Sequence, residues 1–144
     1  MIGIIVTGHG RFAEGITSSV EMIAGAQADY EAVNFLQEES VEDLELKLSA
    51  AYDKLSASCD GVILCCDLLG GSPFKSSVIM SVKKENAAVV AGINLPSLLE
   101  MLFDRLNETS AIALADAIIA KGSNALIKFS PAELRQQDNF EEGI

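Results

Sequence analysis

The chain has no tryptophan, two tyrosines, three prolines, three cysteines and a single histidine, His9, among its 144 residues. Each scarcity excludes something. With only Tyr30 and Tyr52 beyond its phenylalanines, a flavin ring sandwiched between wide aromatic side chains is disfavoured. Cys59, Cys65 and Cys66 form no C-x-x-C pair and cannot build a disulfide framework. A zinc site would need further histidine or cysteine nearby, and the sequence offers neither, so no metal is expected. Cys65 and Cys66 lie in the apolar run Val62-Ile63-Leu64-Cys65-Cys66 and read as small core residues of a reducing compartment. Basic residues are also few, 10 against 21 acidic ones, for a formal net charge of −11. That balance argues against nucleic acid and against an anionic membrane surface, since both demand clustered Lys and Arg. It favours a partner with a basic face. No stretch reaches the roughly 18 apolar residues of a membrane span; residues 87–103 come nearest and are broken by Asn94, Pro96 and Glu100. No basic region precedes the first apolar run, so a signal peptide is not expected and a cytoplasmic location is.

What is present is the composition of one folded domain, 49% apolar and 22% charged. A mean hydropathy of +0.30 is high for so small a soluble protein and raises the expectation of a second copy covering part of the surface. Along the chain, short β-branched runs alternate with helical periodicity. Residues 2–6 read as a strand, followed by the loop Thr7-Gly8-His9-Gly10-Arg11. A helix begins at Phe12 with apolar positions at Ile16, Val20 and Ile23, and Gly25 stops it. Residues 30–36 are a second strand, and Ser40 is the N-cap of a helix with Glu42 and Asp43 in its first turn. Residues 61–66 form a nearly all-apolar third strand, the signature of a strand covered on both faces. A third helix begins at Pro73 or Phe74, after a turn in which Ser72 is placed to cap. Residues 87–93 make a fourth strand. A helix with Pro96 in its first turn runs to about Arg105, and another covers about 109–121. Residues 125–129 are a candidate short C-terminal edge strand. The expectation is a single domain over residues 1–130 and an acidic tail over 131–144.

Repeated strand–helix units predict a three-layer α/β/α sandwich with a mainly parallel four-stranded sheet in the order 2-1-3-4. A closed barrel would need about 200 residues or more. In such open sheets ligands bind beyond the carboxyl ends of the strands, where the strand order reverses. That crevice would lie between strands one and three, whose following loops carry His9 and Asp67. At neutral pH an ordinary imidazole keeps one ring nitrogen free as a nucleophile, and a carboxylate on the other N–H fixes the tautomer. Gly70-Gly71-Ser72-Pro73 leads into a helix, whose exposed first amides suit an anion such as a phosphoryl group; Gly8 and Gly10 offer the same more weakly. No Gly-Lys-Ser/Thr follows either loop, so this is not a Walker A motif, and Gly70-Gly71-Ser72-Pro73-Phe74 lacks the second glycine of a hydrolase elbow.

Four segments carry a resemblance. Ile4-Ile5-Val6-Thr7-Gly8-His9-Gly10 with Phe12-Ala13-Glu14-Gly15, then Met22-Ile23-Ala24-Gly25, Asp67-Leu68-Leu69-Gly70-Gly71-Ser72-Pro73-Phe74 and Ala91-Gly92-Ile93-Asn94-Leu95-Pro96 resemble the IIA components of mannose-family, phosphoenolpyruvate-dependent sugar phosphotransferase systems. The resemblance implies that His9 takes a phosphoryl group from the phosphohistidine of the carrier HPr and passes it to a IIB component. It implies that Asp67 orients the imidazole with Nε2 as attacking atom, and that backbone around Gly10, Gly71 and Ser72 holds the phosphoryl oxygens. It implies no metal or organic cofactor, only an indirect link to membrane IIC and IID components, and a homodimer in which the 125–129 strand takes part. Arg11 and the Leu68-Leu69 pair depart from the pattern. The chain ends without an Ala/Pro-rich linker, so IIB is expected as a separate polypeptide. Glu141-Glu142-Gly143-Ile144 is similar to members associated with amino-sugar uptake. Two rivals stand beside this reading. The phosphocarrier subunit of dihydroxyacetone kinase has serine where Gly10 stands, and a flavodoxin-like nucleotide binder would want more aromatics. A pure interaction module, in which His9 is dispensable, is a third.

Overall fold

The computed structural model describes residues 1–121 and 126–132. Four parallel strands, β1 (Ile2–His9), β2 (Tyr30–Phe35), β3 (Gly61–Cys66) and β4 (Ala87–Ala91), form one sheet in the order β2-β1-β3-β4. Between and after them run helices α1 (Phe12–Ala24), α2 (Val41–Ser56), α3 (Gly71–Ser81), α4 (Leu95–Asp104) and α5 (Ala111–Ala120), with a 3₁₀ turn at Arg105–Asn107. The strand order and the three layers are those the alternation of patterns predicts.

Strand parity divides the core into two. Ile4, Val6, Ile63 and Cys65 point to the face covered by α1, α4 and α5, where they meet Val20, Leu98, Met101 and Leu114. Ile5, Val62 and Leu64 point the other way, onto Leu44, Leu48 and Leu55 of α2. Every residue of β3 is buried, because helices cover both sides of it. The two central cysteines belong to this core, and burial raises both thiols, Cys66 to about 11.

The helix ends follow local chemistry. The Ser40 hydroxyl accepts the Asp43 N–H at 3.1 Å while the Asp43 carboxylate accepts the Ser40 N–H at 3.0 Å, a reciprocal capping box. Gly25, at φ 83°, ends α1. Asn94 accepts the Ser97 N–H at 2.9 Å at the start of α4, where Pro96 needs no donor.

Three expectations change. Helix α3 begins at Gly71 with Gly70 as its N-cap, so Ser72 lies inside the first turn and caps nothing. Residues 126–129 form no strand; Leu126, Ile127 and Phe129 are 98%, 82% and 60% exposed, because no strand among the described residues pairs with them. Ala125 of that stretch and residues 133–144 of the expected tail lie outside the described residues. Arg105, which the sequence marks only as the end of a helix, is 2% exposed. Its guanidinium donates to the carbonyls of Ala28 at 2.7 Å and Asp29 at 2.9 Å, pinning the α1–β2 loop beneath the sheet.

Candidate functional site

β1 and β3 are adjacent and parallel, and their register pairs Thr7 with Cys66. The ladder runs one step further, with the Asp67 N–H donating to the Thr7 carbonyl at 3.1 Å. The first residue after β3 is thereby fixed beside the last residues of β1, and Asp67 reaches His9. Asp67 Oδ2 accepts the His9 backbone N–H at 2.9 Å and lies 2.8 Å from His9 Nδ1, while Oδ1 accepts the Leu68 N–H at 2.9 Å. Partial burial alone would raise the Asp67 pKa, but these N–H donors and the nearby imidazole outweigh it and hold the carboxyl below the usual range. An ionised carboxylate can only accept, so Nδ1 must be the donor. The neutral ring then carries its lone pair on Nε2. The His9 side chain is 48% exposed against 12% for Asp67. One partner is open to solvent and the other is sheltered.

Glycines make the approach possible. A Cβ on Gly8 would lie 2.6 Å from Phe12 Cδ1 and 2.8 Å from Asp67 Cβ, so a side chain there would drive the carboxylate away. A Cβ on Gly71 would lie 2.8 Å from His9 Cε1 and 3.0 Å from Nε2, and Gly71 also has φ +72°. Gly71 and Ser72 open α3, their N-cap residue Gly70 supplies no side-chain cap, and Pro73 has no N–H. The amides of Gly71 and Ser72 therefore have no acceptor within the helix, and Gly71 lies beside the imidazole.

One sequence expectation is redirected. The motif assigns the Gly10 amide to a phosphoryl group; instead that N–H donates to the Phe35 carbonyl at 2.7 Å, and the residue, at φ +58°, serves to turn the chain from β1 towards α1. The guanidinium of Arg11, a departure from the family pattern, pairs with Glu14 at 2.9 Å, both exposed, an arrangement worth little in water.

Residues the motifs did not flag also build the site. Asn34 is one: its side-chain oxygen accepts the Glu14 N–H at 3.1 Å and so caps the first turn of α1 from β2. Phe35 packs its ring beside that of His9, with centroids 6.2 Å apart. The available signal was positional, an aromatic at the end of the second apolar run.

Among the described residues no group of three or more His, Cys, Asp or Glu side chains is placed to hold a metal ion, and no helix is long and apolar enough to cross a membrane.

Residues 3–119 match the EIIA-man family model, described as the fructose IIA component of the phosphotransferase system. The chain is 36% identical over 135 residues to the mannose-specific EIIAB component of Escherichia coli strain K12, covering 92% of this chain and 41% of that protein. It thus spans well under half the length of that relative. It is 32% identical over 104 residues to the sorbose-specific EIIA component of Lacticaseibacillus casei, covering 72% and 74% of the two chains. Among solved structures, phosphotransferase system component EIIA from Streptococcus agalactiae superposes with a TM-score of 0.80 at 32% identity, covering 90% of this chain and 98% of that one. Fold, matched span and identity agree, and the chain belongs to the mannose-type IIA family of phosphotransferase-system components.

Proposed function

We propose that the protein is a phosphohistidine relay: His9 accepts a phosphoryl group from phospho-HPr and hands it to a IIB component during sugar uptake. The observation that carries this reading is the Nδ1–Asp67 contact of 2.8 Å, which leaves the lone pair of the ring on Nε2, on the side of Gly71 at the start of α3.

In the first transfer, Nε2 attacks phosphorus as the bond from phosphorus to the donor histidine nitrogen breaks. No proton needs to leave Nε2. The positive charge that develops on the imidazole ring is offset by Asp67, which keeps the Nδ1 proton in place. The Gly71 and Ser72 amides, reinforced by the positive end of the helix dipole, hold the phosphoryl oxygens. The second transfer reverses these roles towards the acceptor. Little else is required, since phosphoryl transfer is catalysed mainly by positioning and charge stabilisation. Half-exposure of His9 suits donors and acceptors that are themselves proteins, and the excess of acidic residues suits partners with basic faces.

The same reading puts the protein in the cytoplasm as a homodimer, with membrane IIC and IID components acting downstream. In the dimer the stretch 126–129 takes part, which would cover Leu126, Ile127 and Phe129. Relatives are named for mannose, fructose and sorbose, and the choice of sugar is left to the membrane components.

The direct test is incubation with phosphoenolpyruvate, enzyme I and HPr. Wild type should take up an acid-labile, alkali-stable label, and His9→Ala should take up none. Equal labelling of His9→Ala would sink the assignment. Sedimentation as a strict monomer at micromolar concentration would remove the dimer.

A further inference from the structure

The His9 ring has two fixed neighbours, Asp67 at Nδ1 and Gly71 beside Cε1 and Nε2. A third neighbour comes from β2. His9 and Phe35 are partners in the parallel ladder, and their rings stand 6.2 Å apart between centroids with planes at 61°, the edge-to-face range in which aromatic rings attract. The backbone ties the pair again, through the Gly10 N–H on the Phe35 carbonyl at 2.7 Å.

Phe35 is itself held. Its ring packs against the core beneath α2. The peptide groups on either side of it are gripped by one ion pair. Glu39 Oε1 accepts the Leu36 N–H at 2.8 Å and Lys47 Nζ at 2.8 Å, and Lys47 Nζ also donates to the Asn34 carbonyl at 2.5 Å. Thus α2 and the loop before it fix Phe35, and Phe35 borders the imidazole.

We propose that Phe35 is a positioning residue for His9, one that stops the imidazole from turning about its Asp67 contact and keeps the Nε2 lone pair aimed at the incoming phosphorus. The inference rests on the reading of His9 as phosphoryl acceptor. A hydrogen bond at Nδ1 fixes one point of the ring, while the terminal side-chain torsion of histidine is intrinsically broad. On its other flank Gly71 has no side chain to resist rotation. Phe35 supplies the missing wall without touching the phosphoryl group. Displacing a reacting atom by about 1 Å can cost about 100-fold in rate, so a wall of this kind is visible in kinetics.

The test uses Phe35→Leu, which keeps apolar bulk, and Phe35→Tyr, which keeps the ring. Transfer from phospho-HPr is followed by rapid quench to separate the maximal rate from KM. Because His9 is the only histidine, its imidazole nitrogens give a single assignable set of NMR signals, which report ring order and tautomer without any donor. Phe35→Leu should lower the maximal rate about 10- to 100-fold at unchanged KM and broaden the ring signals. Phe35→Tyr should restore both. Should Phe35→Leu fail to fold, Lys47→Met, which frees the Asn34 carbonyl and Glu39, should show a smaller loss of the same kind. A wild-type maximal rate in the folded variant, a loss confined to KM, or sharp ring signals in Phe35→Leu would overturn the proposal. If wild type takes no phosphoryl group from HPr, the relay reading fails by itself. The ring signals of Phe35→Leu then still decide whether Phe35 orders the imidazole.

Discussion

Replacing Gly71 by alanine isolates the contact on which the site depends. The new methyl carbon would stand 2.8 Å from His9 Cε1 and 3.0 Å from Nε2, against an optimal carbon–carbon separation of about 3.5–4.0 Å. Relief requires a shift of very roughly 1 Å, and the exposed imidazole is the part best able to move. Moving it strains the Nδ1–Asp67 bond and displaces Nε2 from its place beside Gly71. A shift of that size predicts a loss of about 100-fold in the rate of phosphoryl transfer. Backbone strain adds a separate cost: at φ +72° an L side chain costs about 1–2 kcal/mol, or roughly 3–6 °C in melting temperature for a chain of this length. Gly25→Ala is the control. Gly25 has φ +83°, a Cβ there would meet nothing within 4 Å, and the residue ends α1 at the pole of the sheet away from His9. Gly25→Ala should lose stability comparably and keep the wild-type rate per folded molecule. Thermal melting and rapid-quench transfer from phospho-HPr, measured on both variants, separate the two costs. Wild-type transfer by folded Gly71→Ala, or an equal loss of rate in Gly25→Ala, would refute the argument.

Further predictions follow from the same geometry. Asp67 has a folded pKa below its unfolded value, so its contribution to stability is present above about pH 4, the ordinary carboxylate value, and is lost as pH falls through the lower folded pKa. Urea midpoints of wild type between pH 7 and 3 should therefore fall more steeply at the acid end than those of Asp67→Asn, and parallel curves would contradict this; the same variant should transfer phosphate slowly while folded. Thr7 Oγ1 is fully buried with no protein partner among the described residues. Thr7→Val should be neutral or stabilising by about 1 kcal/mol, and a clear loss of stability in urea unfolding would show that the hydroxyl is hydrogen-bonded in solution. Arg105→Met should destabilise by about 2–4 kcal/mol, because two loop carbonyls lose buried donors. Transfer per folded molecule should be unchanged, since those carbonyls belong to Ala28 and Asp29 at the end of the sheet opposite His9.

Much of this architecture was legible along the chain. The β-branched runs, the caps at Ser40 and Gly25, and the position of Pro96 are signals between residues within about one helical turn of each other, and they act before any tertiary contact forms. Strand order and the placement of His9 opposite Asp67 followed because few topologies satisfy right-handed crossovers in an open sheet. The family motifs sharpened that placement. What they did not disclose was decided by partners distant in sequence. Gly8 must be glycine because Asp67, from the end of another strand, occupies the space of its Cβ. The Gly10 amide is spent on Phe35, and α1 is capped by Asn34, both from β2. Arg105 is buried because loop carbonyls 76 and 77 residues earlier need its donors. The expected strand over 125–129 is the converse case: its apolar pattern is present, but residues 126–129 find no ladder among the described residues, and pattern without a neighbour does not make a strand. Local periodicity determined the elements and the pole at which the site would lie, whereas steric and hydrogen-bond demands between strands decided how the His9 ring is held there.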